Sequence, residues 1–135
     1  MVEIIHLAVT WALVGLIWMV QVVIYPQFGA VGRLEFGAYH ADYTRRISWI
    51  VGPLMLAELG SAAWLLWAGE RSGWFLISLG LIGINWLSTL IVQVPLHRRL
   101  EQGFEAGAHG RLVATNWVRT AAWTARGIWV AAGCL

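Results

Sequence analysis

Residues 116–126 read NWVRTAAWTAR, which sets Arg119 and Arg126 one heptad apart in a stretch otherwise apolar enough to cross a bilayer. An arginine in hydrocarbon costs at least about 3 kcal/mol. Each therefore needs a partner inside the protein or an escape to an interface. The segment lies in the last of four apolar stretches, residues 4–25, 47–68, 74–94 and 112–135. Each comes close to the ~20 residues that span the hydrocarbon core. Composition agrees: 59% of the 135 residues are apolar, only 12% are charged, and mean hydropathy is +0.68. A soluble domain of this size carries far more charge. The expected fold is all-α: an integral-membrane four-helix bundle forming one domain over residues 1–135, with linkers too short for a second.

The first stretch is not expected to be a cleaved signal peptide. It opens with Glu3 in place of a basic region, and its apolar run is long and lacks a small-residue exit. Arginine placement sets the expected orientation. Arg33, Arg45 and Arg46 follow the first span, and Arg98, Arg99 and Arg111 follow the third. Arg71 alone lies on the other side. Both long loops are thus expected in the cytoplasm and both termini outside, in a multi-pass protein of the bacterial inner membrane. The arginines mark span boundaries and form no nucleic-acid footprint. The lone Cys134 excludes an intrachain disulfide, a CxxCH haem attachment and a thiolate zinc site.

Offset by 69 residues, the chain partly repeats itself. Pro26 falls on Pro95 and His40 on His109, each proline closing an apolar span and each histidine preceding the next. Two helical hairpins are expected, over about residues 1–68 and 69–135, related by an axis along the membrane normal. Gly60, Gly80 and Gly83 are expected to let backbones approach.

Helical spacing assigns faces. Eighteen residues make five turns, so His40, Thr44, Ile47, Val51, Leu54 and Glu58 share a stripe. His109, Asn116, Thr120, Trp123 and Gly127 form its counterpart, flanked by Arg119 and Arg126. Glu58 and Arg126 then lie at similar depth, and an ion pair between them is expected, because an unpaired buried carboxylate would take up a proton. Arg119 has no acidic residue at its level in the spans. It is expected among Asn116, Gln93 and Gln21, facing an anionic guest. Asn85, Ser88, Thr89 and Gln93 mark a polar side of the third helix.

Histidines are the available metal ligands. His40 and His109 reach equivalent helix ends, where they are candidate axial ligands of a b-type haem through Nε2, with arginines on its propionates. The bland alternative is that both cap or hydrogen-bond at the interface. His97, Glu101, Glu105 and His109 recur every four residues, a candidate metal stripe or a solvated linker face. His97 and His109 are candidate general bases near neutral pH. His6 reads as a satisfied interfacial residue.

The YP at 25–26, the YH at 39–40, VPLHRRL at 94–100 and NWVRTAAWTARG at 116–127 resemble a group of small bacterial four-helix membrane proteins. That resemblance implies the fold and no activity. More loosely, Pro95 with Arg98, and Asn116 with Arg119, are similar to anthrone-oxygenase-like small membrane proteins. This implies an oxygenase acting on a flat aromatic or quinone-like substrate without an evident metal. It leaves the two matched histidines and Glu58 unexplained.

The leading expectation is a redox-type protein holding a flat amphipathic guest, haem or quinone-like, between the repeats. His40, His109, Arg119, Asn116, Trp123, Glu58 and Arg126 would hold it. Alternatives are a small transporter or accessory subunit, and an oxygenase-like enzyme using His109 or His97. Expected partners are membrane lipids, a hydrophobic small molecule and a second copy of the chain in a homo-oligomer.

Overall fold

The structure, a computed structural model, describes residues 1–134. Leu135, the end of the fourth apolar stretch, lies outside them. The described residues form four helices, Val2–Ala30, Phe36–Trp67, Gly73–Glu101 and Ala106–Cys134. The chain is all-α, with no strand among these residues. The first three helices are long and apolar enough to cross a membrane. The fourth has the length, at 29 residues, but its composition falls short of theirs, so three helices meet the measure where four were expected. The physical reason is the polar stripe, since Asn116, Arg119, Thr120 and Arg126 are all buried.

Local chemistry sets the boundaries. The second helix ends where Gly69 takes a left-handed φ of +101°, and Gly103, at +139°, separates the third helix from the fourth. A side chain at either position would be strained. Ser72 caps the third helix, its Oγ accepting from the Phe75 N–H at 3.3 Å.

The first and third helices each widen into a π segment, Val20–Ile24 and Ser88–Gln93, just before Pro26 and Pro95. A proline has no N–H to donate and its ring crowds the preceding turn. A widened turn accommodates both defects and rotates everything beyond it about the helix axis. Pro53 lies inside the second helix, which continues through it.

The first helix packs on the second and fourth, and the third packs on the fourth and, near its Val94–Glu101 end, on the second. The second and fourth helices thus stand diagonally. Gly127 marks the closest approach: a Cβ there would meet Val14 at 3.0 Å, between the fourth and first helices. The expectation for Gly60, Gly80 and Gly83 is corrected, because a Cβ on any of the three meets nothing within 4 Å. Their backbones do not lie against a neighbouring helix.

The solvation pattern is inverted relative to a soluble protein. Trp49, Leu56, Ile91 and Ile128 are exposed, whereas His40, Glu58, Asn85, Gln93, Asn116 and Arg126 are at most 1% exposed. At the loop end, Phe28 and Phe36 pack with Leu96, Leu100 and Leu112. Nearer the middle, Leu13, Ile17, Met55 and Trp123 form a second cluster.

Candidate functional site

The expected ion pair is present. Arg126 Nη1 lies 3.0 Å from Glu58 Oε1, with both side chains fully buried. It is a charge contact more than an aligned hydrogen bond, because Glu58 Oε1 accepts no hydrogen bond, while Nη1 donates to Thr10 Oγ1 at 2.6 Å. Glu58 Oε2 accepts from the Trp123 indole N–H at 3.2 Å. The other terminal nitrogen, Arg126 Nη2, donates to His6 Nε2 at 2.7 Å.

That last bond revises the reading of His6, which belongs to this buried cluster and not to an interface. A guanidinium can only donate, so His6 Nε2 must be the acceptor and Nδ1 must carry the ring proton. Nδ1 then donates to Ser61 Oγ at 2.6 Å, and Ser61 passes its own hydrogen to the Ala57 carbonyl at 2.7 Å. The sequence signal is helical spacing: His6, Thr10, Leu13 and Ile17 recur on one face, and all are buried.

Arg119 stands differently. Among the described residues no carboxylate lies within 4 Å of it. Nη1 donates to Asn116 Oδ1 at 3.1 Å, and Asn116 Nδ2 donates to Gln21 Oε1 at 2.9 Å. Gln21 in turn donates to the Val113 carbonyl at 3.1 Å. The guanidinium carbon is 5.0 Å from the centre of the Trp123 ring. Arg119 Nε is buried with no hydrogen-bond partner. The expected neighbour Gln93 donates instead to Thr115 Oγ1 at 3.1 Å.

Arg119 and Trp123 line a cavity of about 460 Å3 walled by the first three helices. Leu13, Ile17, Val20 and Val51 give it apolar walls, while Tyr25, Tyr43, Gln93, His97 and Glu101 add polar atoms. This size lies within the ~300–1,000 Å3 of small-molecule sites. Glu101 accepts from Thr44 Oγ1 at 3.0 Å, which ties the second helix to the third beside the cavity.

A string of proton-carrying groups leaves the cavity wall. Tyr25 Oη lies 2.9 Å from His97 Nε2, and His97 Nδ1 lies 3.0 Å from His40 Nε2. The imidazoles meet edge to edge, with centres 5.0 Å apart and planes 29° apart, as their hydrogen bond requires. Phe36 packs against His40 with ring centres 5.4 Å apart and planes 26° apart.

His40 therefore meets His97 and not its counterpart His109. His109 Nε2 donates to the Tyr25 backbone carbonyl at 2.7 Å. The Phe28 ring packs against both histidines, with centres 5.2 Å from His40 and 6.4 Å from His109. Each Nε2 proposed for iron is engaged within the protein, that of His40 with His97 and that of His109 with the Tyr25 carbonyl. The spacing also misleads for His97, Glu101, Glu105 and His109. The helix stops at Glu101 and a new one begins at Ala106, so the stripe is broken. Among the described residues no group of three or more His, Cys, Asp or Glu side chains is placed to hold a metal ion.

Of the expected site residues, the structure gathers Arg119, Asn116, Trp123 and His97 at or beside the cavity. Glu58 and Arg126 lie behind Trp123, His40 lies behind His97, and His109 lies apart. Tyr25 and Tyr43 were missed, although Tyr25 directly precedes the helix-closing Pro26. No family model, curated protein or solved structure matches this chain.

Proposed function

We propose that this chain is a single-domain, multi-pass protein of the bacterial inner membrane that binds a flat, oxygen-bearing amphiphile of the quinone or phenol class in the Arg119 cavity. The arginine-rich loops face the cytoplasm, and the two hairpins are diverged copies. The paired π segments before Pro26 and Pro95 support that duplication.

The observation carrying the functional reading is Arg119: a buried guanidinium beside a cavity, with an unpartnered Nε and no carboxylate within 4 Å among the described residues. Asn116 and Gln21 hold its orientation, and the indole of Trp123 supplies a cation–π contact. An anionic or strongly polarised oxygen on the guest joins the Tyr25 hydroxyl beside the guanidinium. Apolar walls take the rest of the molecule.

Tyr25, His97 and His40 carry a proton between this oxygen and the protein interior. As the guest O–H breaks, Tyr25 takes the proton while passing its own to His97 Nε2. His97 Nδ1 then protonates His40 Nε2. The products are a guest oxyanion on Arg119 and an imidazolium at His40, so charge balances. Polar groups turned inward around a cavity favour this reading over an accessory subunit with a packed apolar interior.

Organic extracts of wild-type and Arg119→Met protein, purified from bacterial membranes into lipid nanodiscs, test the assignment. The wild-type extract is expected to hold a quinone-like or phenolic lipid in near-stoichiometric amount, and the variant extract to lack it. Equal amounts in both, or none in either, contradict the proposal.

A further inference from the structure

A second cavity, of about 400 Å3, lies at the opposite end of the molecule, beside the Ala68–Ser72 turn and the amino terminus. Its lining differs in kind from the Arg119 cavity. Glu3 and Glu70 supply carboxylates, Trp74, Phe75 and Trp129 supply aromatic faces, and among the described residues no lysine or arginine lines it. Trp74 and Trp129 lie with ring centres 5.3 Å apart and planes inclined at 55°.

Two lining groups are unsatisfied. Ser78, 2% exposed, has no partner for its Oγ, and the Trp129 indole N–H is likewise buried without one. Such groups cost free energy unless something completes them.

The groups lining this cavity suit a cation. His6 lines the cavity as a neutral imidazole, since its Nε2 accepts from Arg126. Glu70 accepts from the Ser72 backbone N–H at 2.9 Å, and its hydrogen bonds to Ser72 hold the carboxyl below its ordinary range. The end of the second helix contributes Leu65 and its C-cap Ala68, and a helix C-terminus favours positive charge. The competing N-terminal ends are offset by Glu3 in the first turn of the first helix and by the Ser72 cap of the third. Two competing cations lie at this end, the amino terminus 3.3 Å from Glu3 and Arg71 in the turn, and both are exposed and screened by solvent.

We propose that this cavity is a second binding site, specific for a small amphipathic amine. The ammonium lies between the Glu3 and Glu70 carboxylates and the Trp74 and Trp129 faces, and donates to Ser78 Oγ. The aromatic or alkyl body lies against Phe75 and Leu65, and an oxygen on it accepts from the Trp129 N–H. Attraction of an ammonium to indole faces is a well-established recognition chemistry. The site is independent of the Arg119 cavity, which selects the opposite charge.

Three probes built on one phenol ring separate charge from shape: tyramine, its neutral alcohol tyrosol, and the anionic 3-(4-hydroxyphenyl)propionate. Binding is measured by calorimetry on the full chain in nanodiscs, in the wild type and in Arg119→Met, and the probes are ranked in Arg119→Met, where their phenol rings no longer find the first cavity. Tyramine is expected to bind at least about tenfold more tightly than tyrosol, and the propionate not at all at this cavity. The Glu3→Gln/Glu70→Gln double variant is expected to remove that preference, and Ser78→Ala to weaken tyramine several-fold. Arg119→Met is expected to leave tyramine binding intact, which assigns it to the second cavity. Tyrosol binding as tightly as tyramine, a double variant that keeps the preference, tyramine binding lost in Arg119→Met, or no tyramine binding overturns the proposal.

Discussion

Arg126 and Glu58 meet at 3.0 Å across the diagonal of the bundle, from helices that do not pack side by side. Only long side chains can close that gap, and in doing so they fix the depth of the second helix against the fourth. A buried pair of this kind contributes little net stability over a well-packed apolar pair, but breaking it leaves a bare charge.

Glu58→Gln should therefore cost about 3–5 kcal/mol, and Arg126→Met a comparable amount. The double variant Glu58→Leu/Arg126→Met should recover most of the loss, because neither charge then remains. Denaturant unfolding in detergent reads all three. An unchanged midpoint for Glu58→Gln refutes the pairing.

His6→Ala should destabilise by about 2 kcal/mol, since the Arg126 Nη2 donor loses its acceptor. His6→Gln offers an amide oxygen at similar reach and should restore part of that. Equal stability of the alanine variant and the wild type would place His6 outside the cluster.

Gly127→Ala should cost about 1–3 kcal/mol by overpacking against Val14. Val14→Ala in the same chain should relieve it. Gly80→Ala meets open space and should be neutral or gain up to about 1 kcal/mol from helix propensity. The reverse order of the two glycines would contradict the packing described.

Orientation is open to a labelling test. In a Cys134→Ser background, Glu70→Cys should react with a membrane-impermeant maleimide in intact cells. Gln102→Cys should react only after lysis. The opposite pattern inverts the topology.

Much of this fold is written plainly in the chain. Span lengths give the helices, and Gly69 and Gly103 sit where the chain turns. Counting at 3.6 residues per turn puts His40 and Glu58 on one buried face, and it puts Arg126 at the depth of Glu58. The same counting holds for His97 and Glu101, which both face the second helix, and fails past Glu101, where the helix ends and a new one begins at Ala106. The repeat misleads in another way. It matches His40 with His109, but the residue at the His97 position in the first half is Phe28, so a hydrogen-bonded imidazole pair occurs in one half only. A periodic pattern carries depth and face; which ring fills the gap between two faces depends on packing that no spacing encodes.

Guest binding at Arg119 is the central claim, and a direct titration tests it. An acidic hydroxynaphthoquinone, anionic at neutral pH, is added to wild-type protein in nanodiscs while its visible absorption is followed. The predicted result is a saturable spectral shift at one site per chain, lost in Arg119→Met and altered in its pH dependence by His97→Ala. Partition into lipid alone, with the same unsaturable response in the wild type and in Arg119→Met, would contradict it.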